Sequence, residues 1–254
     1  MIKLFNYSRS HIVSTSLFLA LSCSAVFSQD ARSPIGSWEL SIARIGPSAK
    51  ENGTVFLTFN ADHTLVGYGL TTTTFRVGTF SGTWSNSAAG RFEADYTEDL
   101  SGDLFDGKFS GRATTGKRLE MNSVGLLGTF KLKGVPTQSL PDISGSWISS
   151  STQTLTRSHS IETCQFTNLT QFPGVVGISG SGTNANRPFA VSGMAIVTAK
   201  GKVTVFKVDD FGGSDIAFDE FSGNFRQQKQ TMTFRGNDTD GLTVLAVRAR
   251  LSRP

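Results

Sequence analysis

The sequence has little of the chemistry that enzymes and metal sites use. Its 254 residues contain two cysteines and three histidines. His11, His63 and His159 lie far apart, and none has another ligand type at metal-binding spacing, so solvated histidines are expected instead of metal ligands. No Gly-x-Ser-x-Gly segment stands between a predicted strand and a helix. The sequence therefore predicts no enzyme, no metal site and no cofactor.

Cysteine is too scarce for a disulfide in the exported chain. Cys23 lies in a predicted leader, so removal of that leader leaves Cys164 alone. Cys164 alternates with Phe166, which predicts a buried and unreactive thiol. The domains must therefore be stabilised by apolar cores, for which the chain is long enough.

The first 28 residues have the order of a secretory signal peptide. Lys3 and Arg9 precede an apolar run at residues 12–22 that is too short to span a bilayer, and small residues follow up to Ser28. We expect cleavage near Ser28 and an exported protein that is secreted, periplasmic or at the cell surface. Residues 20–23 are similar to a loose bacterial lipobox, so a lipid anchor on Cys23 is the alternative.

Charge is nearly balanced once this leader is removed. The whole chain has 24 Lys+Arg and 20 Asp+Glu, and the leader contains Lys3, Arg9 and no acid, which leaves a balance of +2. Such a balance predicts neither a nucleic-acid partner nor an anionic membrane as partner. No transmembrane segment is expected in the mature chain.

Period-2 alternation is the main secondary-structure signal after the leader. Phe92, Ala94 and Tyr96 share one face of a predicted strand, and the charged residues between them share the other. Short polar segments such as residues 60–63 separate strands of this kind at hairpin spacing. About eight strands are predicted in the first half, at residues 38–42, 54–59, 64–70, 75–84, 92–97, 105–113, 118–121 and 126–132.

The chain then repeats itself. A Gly-Ser-Trp segment follows a proline near residue 36 and again near residue 145, and the two halves also end alike. Two prolines in residues 134–142 cannot continue a strand ladder, so a linker is predicted there. The expected fold is all-β, with a signal peptide at 1–28 and two tandem antiparallel up-and-down β-barrels of about eight strands each, at 34–133 and 143–252.

The paired motif resembles the entry motif of the calycin group, which includes lipocalins and avidins. The structural residues of this resemblance are Gly36 and Trp38, and Gly145 and Trp147. The resemblance implies barrels in which each Trp closes one end. Lipocalins also have a C-terminal helix and an Arg on the last strand that packs over the Trp. In this sequence neither half leaves room for the helix, and the basic residues of the last strands are expected to face outward: Lys131, Lys133, Arg248 and Arg250.

The 20 phenylalanines suggest what the interiors contain. Several are expected to point inward: Phe80, Phe92, Phe109, Phe130, Phe206, Phe221 and Phe234. So many rings indicate either filled barrels or a narrow apolar pocket at one mouth. The acidic groups Asp209/Asp210/Asp215 and Asn237/Asp238/Asp240 could offer oxygens to Ca²⁺, but hairpin turns are the favoured interpretation.

The leading functional prediction is an exported, non-enzymatic binding protein. Its partner would be a small apolar ligand or another protein, held at a barrel mouth to which Trp84 and Phe92 contribute. The alternative is a structural or surface-interaction protein whose barrels are filled and bind no ligand.

Overall fold

A computed structural model describes most of the chain after the predicted leader. The described residues are 33–44, 52–70, 77–87, 91–100, 102–114, 116–125, 128–153, 157–239 and 244–254. The predicted signal peptide and Cys23 lie outside them.

The first half forms a closed eight-stranded antiparallel barrel. Each strand pairs with the next along the chain, and the first pairs with the last, which closes the barrel. Its strands are β1 Gly36–Arg44, β2 Asn52–Phe59, β3 Thr64–Leu70, β4 Val77–Ser87, β5 Arg91–Leu100, β6 Asp103–Thr114, β7 Arg118–Gly125 and β8 Gly128–Pro136.

The second half forms another closed eight-stranded barrel with the same connections. Its strands are β9 Gly145–Gln153, β10 His159–Asn168, β11 Val175–Asn184, β12 Arg187–Val197, β13 Lys202–Asp210, β14 Ile216–Arg226, β15 Thr231–Thr239 and β16 Val244–Ser252. A single-turn 3-10 helix, Gln227–Lys229, precedes β15. The predicted fold class is therefore confirmed. Residues 134–136 differ from the expected linker because they continue β8 and pair with β1.

Alternation determines which side chains enter each barrel. On β5, Phe92, Ala94 and Tyr96 are buried in the interior, whereas Arg91 and Glu93 are exposed. The exposed faces of other strands also carry charged residues, including Lys131, Lys133, Arg248 and Arg250, as expected. Within the described residues, no helix is long and apolar enough to cross a membrane.

Both barrels begin with the same local arrangement. Gly36 and Gly145 have φ angles of +122° and +107°, values that favour glycine because it lacks a Cβ. Trp38 and Trp147 are buried, and each indole Nε1 donates to the carbonyl oxygen four residues earlier, at 2.6 and 2.9 Å. The prediction that the paired tryptophans are buried at equivalent ends is confirmed.

An arginine packs over the tryptophan of the second barrel, although the sequence predicted that the basic residues near the end of each barrel face outward. The Arg253 guanidinium carbon lies 4.2 Å from the centroid of the Trp147 ring. A Cβ at Gly145 would overlap Arg253 Nη1, so glycine leaves the space that this contact needs. The expectation considered only the strand residues Arg248 and Arg250, which do face outward. Arg253 follows the end of β16, where alternation no longer fixes side-chain direction.

The two barrels pack against each other through an apolar cluster. Phe206 on β13 is in this cluster with Phe56 and Leu70 of the first barrel. Phe206 was expected to point into its own barrel, and that expectation is wrong because β13 buries both of its faces. Glu39 Oε2 also accepts a hydrogen bond from Ala199 N across the contact, at 2.7 Å. The halves therefore have separate cores and a shared interface.

Candidate functional site

A groove between the two barrels is a large concavity of the described structure, with a volume of about 1000 Å³. One wall is formed by β2 and β3, and the other by residues 168–174 of the second barrel, with residues 137–143 between them. Its apolar lining includes Phe56, Tyr68, Leu140, Leu169 and Phe172. Its volume is within the range of small-molecule sites, roughly 300–1000 Å³.

Tyr68 lies in the lining of this groove and is held by contacts with both barrels. Its ring centroid lies 5.3 Å from that of Phe56 and 5.3 Å from that of Phe172, which belongs to the other barrel. Its hydroxyl donates to Pro173 O at 2.9 Å. Burial raises the pKa of Tyr68 to about 12, so the hydroxyl stays a neutral donor at physiological pH. The aromatic wall is therefore held in place from both barrels.

The polar groups of the groove are mainly amides and hydroxyls, including Gln138, Asn168 and Gln171. Asp142 is a carboxylate in the lining, and hydrogen bonds from Ser144 keep its pKa below the ordinary value. Such groups can orient a ligand by hydrogen bonding. A carboxylate with a lowered pKa is a poor general acid, because it holds no proton near neutral pH.

The sequence-predicted ligand residues lie elsewhere, in the packed end of the first barrel. Trp84 is 4% exposed and Phe92 is 0% exposed. Both rings pack edge-on against Phe59, with centroid distances of 6.1 and 5.2 Å. The Trp84 Nε1 donates to Asn60 O, and His63 of the same turn covers the indole at 4.8 Å. The structure thus places them in the core near Trp38, and their role in binding stays a prediction.

The other end of the first barrel contains polar groups that the sequence reasoning missed. Tyr96 and Ser123 share a hydrogen bond of 2.6 Å inside the barrel. Glu98 follows Tyr96 on the inward face of β5 and is 9% exposed. Burial raises the pKa of Glu98 to about 6, because a charged carboxylate loses hydration there.

The second barrel buries a cluster of ionisable side chains around one lysine, again unpredicted. Lys207 Nζ donates to both carboxylate oxygens of Asp209 at 2.7 Å. It also lies 3.1 Å from Glu162 Oε1 and 2.7 Å from Asp219 Oδ2. The rings of Phe189 and Phe221 flank the ammonium at 5.8 and 5.9 Å. Three carboxylates thus surround one cation in an apolar core.

This cluster corrects the turn interpretation of Asp209. The residue belongs to β13, and alternation places its side chain inside the barrel with Val203, Val205 and Lys207. Burial raises the pKa of Asp209 to about 6, although the Lys207 charge acts in the opposite direction. The surrounding carboxylates raise the pKa of Lys207 despite its burial, so the ammonium stays charged.

The polar ends of the two interiors occupy equivalent positions. The pairing register aligns Tyr96 with Lys207, and Glu98 with Asp209, when the repeated Phe-Ser-Gly segments of β6 and β14 are superposed. A signal was therefore present in the sequence: charged residues at inward positions of otherwise apolar strands. It was missed because Asp209 was assigned to a turn, and because no inward position was considered for the charged residues Glu98 and Lys207.

The Cys164 thiol lies beside the ion cluster of the second barrel. Cys164 is buried as predicted, and burial raises the pKa of its thiol to about 12, which keeps it protonated. The cavity beside Cys164 and Lys207 has a volume of about 20 Å³, room for about one water molecule. No group of three or more His, Cys, Asp or Glu among the described residues is arranged to hold a metal ion.

Comparison with known proteins gives no family. No protein-family model and no curated protein matches the chain. Among solved structures, the chain is similar to a "putative outer membrane protein" from Bacteroides fragilis NCTC 9343, with 14% sequence identity. The similarity covers 85% of this chain and 96% of that one at a TM-score of 0.30, a value too low to support an argument.

Proposed function

We propose that the protein is an exported, non-enzymatic binding protein whose two barrels hold a ligand in the groove between them. The observation that carries this proposal is the contrast in volume: about 1000 Å³ in the groove against about 20 Å³ in the cavity of the second barrel. Rings and aliphatic side chains form the cores of both barrels, and Lys207 with its carboxylates occupies part of the second interior. The barrels are packed scaffolds that position the groove walls.

The lining favours a small molecule with one flat apolar face. Tyr68 and Phe172 offer ring surface, and the amides of Gln138, Asn168 and Gln171 offer donors and acceptors around it. An apolar wall with a few polar groups is typical of small-molecule sites. This arrangement moves the expected ligand position from a barrel mouth to the contact between barrels.

The second barrel supports the calycin-type interpretation more strongly than the first. It combines the Gly-x-Trp opening with an arginine over the indole, the contact between Arg253 and Trp147. The lipocalin barrel uses its interior for ligands, whereas Lys207 and its carboxylates occupy the corresponding space here. The proposed relationship therefore concerns architecture, and the binding mode differs.

Titration with Nile red, a neutral dye whose fluorescence rises in apolar surroundings, tests the groove. We expect saturable binding by the native protein, weakened about tenfold by Tyr68→Ala or by Phe172→Ala, because each removes ring surface from the site. Tyr68→Phe keeps the ring and should retain the affinity. Leu104→Ala removes a side chain 67% exposed on β6, outside the groove, and should change nothing.

The filled interiors favour a second candidate, a structural or surface-interaction protein that binds no small ligand. The same titration separates the two. Saturable binding that Tyr68→Ala leaves unchanged, or an absence of saturable binding, would support the structural role and contradict the groove.

A further inference from the structure

The outer face of the second barrel carries a cluster of arginines. Arg235 on β15 lies directly opposite Arg248 on β16, and Arg250 follows two residues later on the same outward face. All three side chains are exposed. Directly opposite side chains on antiparallel strands have Cβ atoms about 5 Å apart, so like charges there repel and destabilise the sheet. A partner of negative charge would relieve this repulsion.

The immediate neighbours leave most of this charge uncompensated. The outward positions opposite the arginines on adjacent strands carry hydroxyl groups, from Ser150, Thr152, Ser222 and Thr233. No ion pair among the described residues includes Arg235, Arg248 or Arg250. Glu220 lies diagonally from Arg235 on β14 and would offset at most one of the three charges.

Exposed aliphatic side chains border the cluster. Ile161 is 53% exposed and lies opposite Ser150, which is itself opposite Arg250. Ile148 is 40% exposed two residues before Ser150 on β9. The face therefore combines cations with apolar side chains that project toward solvent. We call it the arginine–isoleucine face, formed by Arg235, Arg248, Arg250, Ile148 and Ile161.

The arginines of this face lie on strands away from the first barrel. The inter-barrel contact uses the outward side chains Met194 on β12 and Phe206 on β13. In a closed eight-stranded barrel, β16 is four strands from β12 and lies on the opposite side. The arginine–isoleucine face is therefore open to a flat partner.

The first barrel offers an internal comparison at equivalent positions. Lys131 and Lys133 replace Arg248 and Arg250, but Lys133 lies directly opposite Glu120. Glu39 follows Trp38 where Ile148 follows Trp147, and Thr54 replaces Ile161. The equivalent face of the first barrel is thus charge-balanced and lacks the exposed isoleucines, so the shared fold does not require these features.

We propose that the arginine–isoleucine face docks the protein on an anionic membrane surface. Guanidinium groups bind lipid phosphates with paired hydrogen bonds. The two isoleucines would enter the boundary between headgroups and acyl chains, as the apolar residues of interfacial proteins do. The balance of +2 for the mature chain does not oppose this, because attraction to a surface acts within about a Debye length and depends on local charge.

Co-sedimentation of the purified protein with phospholipid vesicles tests the proposal. We expect binding to vesicles made of equal parts phosphatidylglycerol and phosphatidylcholine, weakening as salt rises, and little binding to phosphatidylcholine alone. The double variant Arg248→Gln/Arg250→Gln should bind roughly 30-fold more weakly, from about a fivefold effect for each cation. Ile161→Ser should weaken binding several-fold at unchanged charge.

The first barrel supplies the matched control. Lys131→Gln/Lys133→Gln removes the same charge from the equivalent face and should leave vesicle binding within about twofold of the native protein. Equal losses in the two double variants would mean that net charge alone is responsible and would overturn the proposal. So would undiminished binding to phosphatidylcholine, or binding to soluble polyphosphate without binding to vesicles. Circular dichroism would verify that each variant is folded.

Discussion

Replacing Lys207 by methionine would test the buried ion cluster of the second barrel. Methionine keeps a long, flexible apolar stem but removes the ammonium. The three carboxylates that lie within 2.7–3.1 Å of Nζ would then share the core without a cation. Removing one partner of a buried ion pair costs about 3–5 kcal/mol. We expect a loss of this size at about pH 7.5, a large part of the 5–15 kcal/mol typical of a domain.

The loss should depend on pH in a direction that the structure fixes. Burial already raises the pKa of Asp209 to about 6, and removal of the lysine charge would raise it further. At about pH 5 the Asp209 carboxyl of the variant binds a proton more readily, which relieves its repulsion with the other two carboxylates. Urea unfolding followed by circular dichroism should therefore show a smaller difference from the native protein at about pH 5 than at about pH 7.5.

A lysine on the same strand provides the control for this experiment. Lys202 is exposed at the start of β13, so Lys202→Met should change the unfolding free energy by less than about 0.5 kcal/mol. If Lys207→Met costs less than about 1 kcal/mol at pH 7.5, or costs the same at both pH values, the carboxylates are not buried as charged groups and our reasoning fails.

Three further predictions follow from the packing. Burial raises the pKa of Glu98 from 4.5 to about 6, so its stabilising contribution is present below about pH 4.5 and lost as the pH rises through 6. Allowing for partial solvent screening, Glu98→Gln should flatten the decline in unfolding free energy between about pH 5 and 7.5 by about 1 kcal/mol. Trp147→Ala should cost about 3–5 kcal/mol in the second barrel, and Arg253→Ala about 1 kcal/mol, as denaturant unfolding would show; equal effects would contradict the packing. Phe206→Ala should loosen the contact between barrels, so small-angle scattering should detect a larger radius of gyration with both barrels folded, whereas an unchanged radius would argue against this interface.

Most of the fold could be predicted because it depends on local patterns. Alternation along residues 92–96 and the polar turn at residues 60–63 indicate a strand and a hairpin without tertiary information. The repeated Gly-Ser-Trp segment indicates duplication, and the buried pair Trp38 and Trp147 agrees with it. These signals survive in the sequence because a period-2 pattern has only one arrangement that buries its apolar face.

The interface and the groove could not be predicted, because they depend on how two barrels dock. Phe206 stands in a run of buried residues on β13, and sequence alone does not tell which of its two faces meets the other barrel. The groove is lined by residues that are about a hundred positions apart, such as Tyr68 and Phe172. Asp209 was misread for a different reason, since Asp-Asp-Phe-Gly-Gly is typical of a turn and the strand ends one residue later.

The closure of each barrel by its first and last strands has a consequence for how the protein folds. Trp38 pairs with Pro136, so this contact closes a loop of nearly a hundred residues, at an entropic cost of about 4 kcal/mol if the intervening chain were free. Hairpins between neighbouring strands, such as β2 with β3, close far shorter loops. Each meander should therefore form before its ends meet, and the pairing of β1 with β8 should come late in folding. Until then the two end strands have unpaired edges. A chain arrested at that stage would therefore be open to association with other chains through these edges, which pair with each other in the native barrel.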